Sequence, residues 1–274
     1  MDQGTVREFV RASGEDPTGQ WQPGDAWLAG GTFLFSTPLP ELRRLVDLTG
    51  LGWTSLDVTP QGLRIAATCR VVELYDFAPP AEWTAGPFLR EAVDSFLAGF
   101  KIWNNATVGG NICTSLPASP MTTMSAALDA TLEIWGPGGS RRTSSVPDFI
   151  LGNHVNALQP GELLRAIDIP AASLHRRYSY QRFTLTKHGR SSEFLVGTTD
   201  PAVRDLHLTI TAATSKPFVL RFAAMPTPDE LRAAIDDGVR DGDYFDDPNG
   251  SPAHRKHMTY HLAEVIRMDL AGEA

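Results

Sequence analysis

Two glycine-containing segments of the sequence have the composition of anion-binding loops. Ala-Gly-Gly-Thr at residues 29–32 follows a short apolar stretch, and Thr-Val-Gly-Gly-Asn at residues 107–111 combines a hydroxyl, two glycines and a side-chain amide. Glycine turns can point several backbone N–H groups into one concavity, and without a Cβ atom the chain can approach a pyrophosphate closely. Either segment alone is more typical of an ordinary tight turn. Together they predict two loops that clamp one diphosphate from both sides.

The acidic charge balance excludes one class of partner. The formal net charge is −8 and the pI is near 5.3. Because no stripe of Lys and Arg is present to neutralise phosphates, a nucleic-acid partner is excluded. Neutral backbone donors would still allow an acidic chain to hold an anion.

The sequence shows no signal-peptide pattern and no apolar run of transmembrane length, so we expect a cytoplasmic protein without a membrane span.

The two cysteines, Cys69 and Cys113, are too few to build a metal centre. An iron–sulfur cluster takes about four thiolates, and structural zinc takes about four thiolate or imidazole ligands. We interpret both cysteines as buried free thiols. Three histidines, His254, His257 and His261, share one face of a predicted helix, but no carboxylates converge on them. We therefore predict no metal site in this chain.

The sequence contains no recognisable set of catalytic residues. Neither G-x-S-x-G nor H-E-x-x-H occurs, so hydrolysis is unsupported. Binding loops without acid–base residues are typical of proteins in which a bound cofactor carries out the chemistry. We therefore predict a cofactor site and no catalytic residues.

The apolar pattern of the first part of the chain predicts a mixture of helices and strands. A short helix at residues 5–10 precedes two strands that form a small βαβ unit, at residues 27–29 and 42–48. A hairpin follows, with Thr-Pro-Gln-Gly at its turn. Three helices are predicted next: one at residues 71–74 capped by Thr68, one from Pro87 to Phe100 that faces the core, and one at residues 121–128. Two further strands are predicted at residues 131–135 and 167–170.

The last hundred or so residues have a different pattern, with several strands in succession followed by two helices. The helices are predicted at residues 228–235, after Thr227, and 253–270, after Ser251. The strands are predicted at residues 178–185, 194–199, 206–213 and 218–222. This order predicts an antiparallel meander covered by helices.

Taken together, the motifs resemble those of a known family. Ala-Gly-Gly-Thr near residue 30 and Asn-x-Ala-Thr-Val-Gly-Gly-Asn near residue 107 resemble the two FAD-pyrophosphate motifs of the molybdenum hydroxylase medium subunits, of the xanthine dehydrogenase and carbon monoxide dehydrogenase type. Similar stretches recur in the same order at residues 45–48, 62–67, 160–164 and 254–257. The resemblance covers nearly the whole chain.

The resemblance implies an α+β fold in two parts. Residues 1–172 would form a p-cresol methylhydroxylase-type FAD-binding domain, a small βαβ unit plus a mixed sheet with helices. Residues 173–274 would form a small C-terminal lobe of antiparallel sheet and helices. It also implies FAD as the cofactor, with [2Fe-2S] clusters on a small partner subunit and molybdopterin on a large one, in a dimer of heterotrimers. Electrons would pass from the clusters to FAD and then to NAD, oxygen, a quinone or another acceptor.

The resemblance also assigns site residues by position. Ile112, Leu164 and Arg182 would lie near the flavin ring, and Ser115 or Ser119 would supply a hydroxyl where the family has an Asp and this chain has Pro120. The pyrophosphate would be lined by Ala29, Gly30, Gly31, Thr32, Phe33, Leu34, Thr107, Gly109, Gly110 and Asn111.

Two alternatives remain open. Pro120 and Trp103 depart from the family pattern, which is compatible with a non-catalytic assembly subunit that has lost FAD. The other alternative is a stand-alone flavin oxidase of the vanillyl alcohol type, although 274 residues leave little room for the substrate domain of such an enzyme.

Overall fold

The structure is a computed structural model that describes residues 3–273. Its strands form three main sheets and one short hairpin, and its helices pack between and outside the sheets. The strands are β1 (Glu8–Arg11), β2 (Asp25–Leu28), β3 (Arg44–Asp47), β4 (Leu56–Thr59), β5 (Gly62–Ala66), β6 (Thr131–Gly136), β7 (Ser140–Ser145), β8 (Ile150–Gly152), β9 (Val155–Asn156), β10 (Leu163–Pro170), β11 (Arg177–Phe183), β12 (Glu193–Thr199), β13 (Leu206–Thr211) and β14 (Phe218–Phe222). The α-helices are α1 (Val71–Asp76), α2 (Gly86–Asp94), α3 (Phe100–Trp103), α4 (Val108–Thr114), α5 (Pro120–Ala127), α6 (Val146–Phe149), α7 (Ala171–Leu174), α8 (Pro228–Gly238) and α9 (Pro252–Ala271).

The first sheet is a small parallel sheet in the order β1-β3-β2. The predicted parallel strands β2 and β3 are confirmed, but turns rather than a helix connect them. The prediction of a helix at residues 5–10 is wrong, because residues 8–10 belong to β1, which pairs with β3, and residues 5–7 are not helical. Its partner lies more than thirty residues away, so local spacing could not reveal the pairing.

The second sheet is antiparallel, in the order β4-β5-β10-β6-β7, and its inner face packs on the main core. The predicted hairpin of β4 and β5 is confirmed. In β10 the register with β6 shifts between Leu164 and Ala166, which is a β-bulge. This bulge lies at the end of the strand that borders the cavity described below.

Two predicted helices of this region need correction. The N-cap of α1 is Arg70 rather than Thr68, and the Arg70 N–H donates to the Glu73 carboxylate at 2.8 Å. The helix predicted from Pro87 to Phe100 ends at Asp94. Beyond it the chain turns, Trp103 Nε1 donates to the carbonyl of Phe96 at 2.9 Å, and the Phe100 side chain is 74% exposed. The apolar spacing therefore predicts the helix correctly in the first half of this segment, which packs on the core, and incorrectly in the second half.

The third sheet is the predicted antiparallel meander, in the order β11-β12-β13-β14. One face packs on α8 and α9, whose predicted caps Thr227 and Ser251 are confirmed. The other face contacts α5, where the hydroxyls of Thr123 and Thr211 lie 2.7 Å apart. The C-terminal sheet thus shares a core with the preceding region. Within residues 3–273, no helix has the length and apolar character needed to cross a membrane.

Candidate functional site

The two glycine segments border one cavity of about 570 Å³, a size in the usual range of small-molecule sites. The first segment leaves β2, and the second contains the start of α4. The cavity is lined by Trp27, Leu28, Ala29, Gly30, Gly31, Thr32, Phe33, Leu34, Leu39, Leu48, Ala67, Thr68, Phe96, Ile102, Ala106, Thr107, Gly109, Gly110, Asn111, Cys113, Thr114, Leu116, His154, Asn156, Leu158, Leu163 and Leu164.

Glycines make the close approach of these segments possible. A Cβ atom on Gly30 would lie 1.9 Å from the carbonyl oxygen of Asn105, and one on Gly109 would lie 2.5 Å from the Cβ of Ala67. Both distances are shorter than real Cβ contacts, so a side chain on Gly30 would push the first segment from the residues before α4, and one on Gly109 would push α4 from the end of β5. Gly31 has φ +69°, a conformation that favours glycine. The absent Cβ atoms of Gly30 and Gly109 therefore allow packing between segments of the protein itself.

The first glycine segment presents unpaired backbone donors. The N–H groups of residues 30–33 donate no hydrogen bond to any other residue that the structure describes. The second segment differs, because the N–H of Gly109 donates to Ala67 O at 3.1 Å and that of Gly110 donates to Thr107 Oγ1 at 3.0 Å. Unpaired donors that border a cavity need an acceptor from water or a ligand. A row of such N–H groups is the chemistry that binds phosphate oxygens.

The cavity offers neutral groups to such an anion. Among the described residues, no Lys, Arg, Asp or Glu lines it. Burial raises the pKa of the Cys113 thiol to about 12, so this side chain is an uncharged thiol at neutral pH. Asn111 accepts through Oδ1 from Ser119 Oγ at 2.5 Å and from the N–H of Met121 at 3.1 Å, and its side-chain nitrogen makes no hydrogen bond within residues 3–273. That nitrogen is a further donor at the cavity wall.

Most of the residues assigned to the site from the sequence line the cavity, but four do not. The structure places Ala29, Gly30, Gly31, Thr32, Phe33, Leu34, Thr107, Gly109, Gly110, Asn111 and Leu164 in its wall. The four that it does not bring there are Ile112, Ser115, Ser119 and Arg182.

Each of the four has a structural reason for its position. Ile112 is fully buried in the main core, and Ser115 is the left-handed C-cap of α4. Ser119 caps α5, and its hydroxyl donates to Oδ1 of Asn111, which lines the cavity. Arg182 donates to Ser191 Oγ at 2.6 Å and to Gly189 O at 2.9 Å, within the connection between β11 and β12. Neither serine is among the residues that line the cavity.

Sequence reasoning missed the contribution of the β8–β9 hairpin. His154, Asn156 and Leu158 belong to it or follow it, and all three line the cavity. Asn156 Nδ2 donates to Cys113 O at 2.8 Å, which fixes the hairpin against the end of α4. These residues lie about forty positions beyond the second glycine segment, and no local motif marks them. Only the tertiary contact reveals their place.

A family model described as the FAD binding domain in molybdopterin dehydrogenase matches residues 10–172. The chain belongs to this family. Its matched region is therefore an FAD-binding domain, and the cavity between the glycine segments lies within it.

Two relatives of this chain are named as subunits of dehydrogenases. The chain is 30% identical to the carbon monoxide dehydrogenase medium chain of Afipia carboxidovorans, over 57% of this chain and 54% of that one. It is 32% identical to caffeine dehydrogenase subunit beta of a Pseudomonas strain, over 38% of this chain and 34% of that one. The chain thus matches about half the length of the carbon monoxide dehydrogenase medium chain and about a third of the length of the caffeine dehydrogenase subunit.

Solved structures share the whole fold. Reconstituted CO dehydrogenase from Oligotropha carboxidovorans superposes with a TM-score of 0.83 at 22% identity, covering 100% of both chains. Quinoline 2-oxidoreductase from Pseudomonas putida 86 gives a TM-score of 0.80 at 18% identity, covering 100% of this chain and 99% of that one. At such identities the likeness shows the fold alone. It confirms the predicted fold class, including the C-terminal sheet and helices.

Proposed function

We propose that this chain is the FAD-carrying electron-transfer subunit of a molybdenum hydroxylase complex and hence part of an oxidoreductase. The observation that carries the proposal is the row of unpaired N–H groups at residues 30–33, in a cavity whose described lining has no charged Lys, Arg, Asp or Glu side chain. Such a site holds a diphosphate through backbone donors. Membership of the FAD-binding family supplies the identity of the ligand.

The residues present fit FAD. The free donors of residues 30–33 and the Asn111 side-chain nitrogen would hold the pyrophosphate. Apolar side chains such as Leu34, Phe96 and Leu164 would contact the flat rings and keep water away from them. FAD supplies the redox chemistry, because a flavin can accept and release electrons singly or in pairs. The protein's own contribution is to bind, orient and shield it.

Pro120 and Trp103, which depart from the family pattern, have structural roles that do not conflict with FAD binding. Pro120 is at the first turn of α5, where its missing N–H costs nothing. The indole N–H of Trp103 donates to Phe96 O, and its ring packs on Tyr75 at 5.0 Å between centroids. Neither residue favours an assembly subunit without FAD over a flavin subunit.

We infer the partners from the family to which the chain belongs. A separate small subunit would carry the [2Fe-2S] clusters and deliver electrons to FAD, and the two cysteines of this chain agree with this, because a cluster takes about four thiolates. A large subunit would carry molybdopterin and the organic substrate. The relative's name, medium chain, supports such an assembly. We extend the proposal to a cytoplasmic dimer of heterotrimers in which residues 1–172 form an FAD-binding domain and residues 173–274 a C-terminal lobe. The electron acceptor would be NAD, oxygen, a quinone or another acceptor.

The test is the flavin content of the purified protein. We would purify the chain alone and co-expressed with candidate iron–sulfur and molybdopterin subunits, release the flavin by denaturation, and identify it by chromatography. We expect about one FAD per chain and co-purification of all three subunits. Absence of flavin from both preparations would contradict the proposal. FAD without partners would support the cofactor and contradict the complex.

A further inference from the structure

An aromatic pair forms part of the cavity wall. The rings of Phe33 and His154 are stacked, with centroids 5.1 Å apart and planes inclined by 25°. Both residues line the cavity. Phe33 directly follows the glycine segment that presents the free N–H groups, whereas His154 comes from the β8–β9 hairpin. The pair therefore joins two separate parts of the wall.

The imidazole of His154 is held in place from two directions. Its Nδ1 lies 3.1 Å from Thr114 O, and its backbone N–H donates to Ser115 O at 2.9 Å. Its φ is +58°, in the left-handed region, where glycine or asparagine fits a turn with less strain. The turn itself does not require an imidazole at this position. The ring's role must therefore come from what it contacts.

The phenyl ring of Phe33 leaves apolar surface uncovered. Its side chain is 42% exposed although one face meets His154. A flat ring placed against this pair would cover apolar surface and add aromatic stacking, which favours offset arrangements with centroids about 4.5–7 Å apart. FAD carries two flat ring systems, adenine and isoalloxazine, one on each side of its pyrophosphate. A pyrophosphate at residues 30–33 brings one of them within reach of the pair.

We propose that one flat ring of FAD stacks on the Phe33–His154 pair, which makes His154 a cofactor-positioning residue supplied by the β8–β9 hairpin. The inference rests on the proposed binding of FAD in this cavity. The stacking chemistry is the same for adenine and isoalloxazine, and the experiment below distinguishes the two rings. The hairpin thereby becomes a third part of the cofactor site, beside the two glycine segments.

The experiment measures, by titration calorimetry, how tightly the flavin-depleted full chain and its variants bind FAD and FMN. The main variant is His154→Asn, because asparagine accepts the left-handed turn and can donate to Thr114 O but has no aromatic ring. Phe33→Ala removes the other ring. The matched control is Val155→Ala, since Val155 lies in the same hairpin, is 52% exposed, and does not line the cavity. Thermal melting verifies that all variants fold.

We expect His154→Asn and Phe33→Ala each to weaken FAD binding about tenfold, the effect of losing one stacked ring, while Val155→Ala leaves it unchanged. If FMN, which lacks adenine, is weakened equally, the isoalloxazine ring stacks on the pair. If FMN binding is unchanged, the adenine does. Wild-type affinity for FAD in both ring variants would overturn the inference and leave the proposed function intact. Wild-type protein that binds no FAD would overturn both.

Discussion

At the scale of single residues, Gly30 shows how the lack of a side chain shapes the cavity. A Cβ atom there would lie 1.9 Å from Asn105 O, so Gly30→Ala should separate the two glycine segments and displace the free N–H groups. We expect loss of most bound FAD, measured as flavin absorbance per chain after desalting. Gly50→Ala is the control, because Gly50 has nothing within 4 Å of its would-be Cβ. Full flavin content in Gly30→Ala would show that the observed approach is not required.

A second residue-scale prediction concerns Glu193, which is fully buried in β12. Burial raises its pKa to about 7, although a hydrogen bond with Ser192 and the nearby charge of Arg255 act in the opposite direction. One carboxylate oxygen, Oε2, has no hydrogen-bond partner among the described residues. Because the folded protein binds this proton more tightly than the unfolded chain, stability falls as pH rises from about 4.5 to about 7.

Glu193→Gln removes this titration. We expect a melting temperature close to that of the wild type at pH 5 and above it at pH 8, where the wild type must bury a carboxylate. Melting curves from pH 5 to pH 8 measure the difference, and Glu82→Gln, at an exposed residue, is the control. A difference that stays constant across this range would contradict the assignment of a raised pKa.

At the scale of elements, the C-terminal helix lies unusually close to the meander. A Cβ atom on Gly197 of β12 would lie 2.3 Å from Ile266 Cγ2 and 2.9 Å from Leu270 Cδ1, both in α9. Gly197→Ala should therefore push α9 from the sheet and destabilise the fold by about 1–3 kcal/mol, as overpacking does. Urea unfolding measures this, with Gly242→Ala as the control because its would-be Cβ meets nothing within 4 Å. Unchanged stability in Gly197→Ala would mean that α9 shifts freely.

The elements also show how far the sequence alone leads. Strand alternation and turn residues predicted β4–β5 and the meander, because those pairings are local. The parallel pairing of β1 with β3 is not local, so the local apolar pattern predicts a helix where the strand lies. The glycine segments of the site were visible as motifs, whereas His154 was not, since only folding brings its hairpin to α4. The sequence therefore located the two glycine segments that border the cavity, but not that the N–H groups of Gly109 and Gly110 are already paired, nor the hairpin that forms the opposite wall.

At the scale of the whole molecule, a charge network joins the FAD-binding region to the C-terminal sheet. Asp129, just after α5, contacts Arg221 of β14 at 2.5 Å and His207 of β13 at 3.4 Å. His207 in turn lies 3.5 Å from Asp205, which pairs with Arg176 at 2.8 Å. Together with the core shared by α5 and the meander, these contacts predict that both regions unfold in one transition.

Asp129 gives this connection a measurable pH dependence. Burial alone would raise its pKa, but hydrogen bonds from His207 and Arg221 outweigh burial and lower the pKa to about 2, from an ordinary value of 3.8. Because the folded value lies below the unfolded one, the stabilisation is complete above about pH 4 and disappears as pH falls toward 2. The Arg221 side chain is 52% exposed, so solvent screening keeps the contribution modest.

Asp129→Asn should therefore lower the melting temperature by about 2–4 °C at pH 7, the shift that roughly 1 kcal/mol produces in a protein of this size. The difference from the wild type should shrink as pH falls from 5 toward 2, because protonation removes the same charge from the native residue. Asp241→Asn is the control, since Asp241 also forms an ion pair but its side chain is 85% exposed. An equal effect of both substitutions at pH 7 would mean that the Asp129 network adds no more than a surface ion pair, and the shared core alone would then join the two regions.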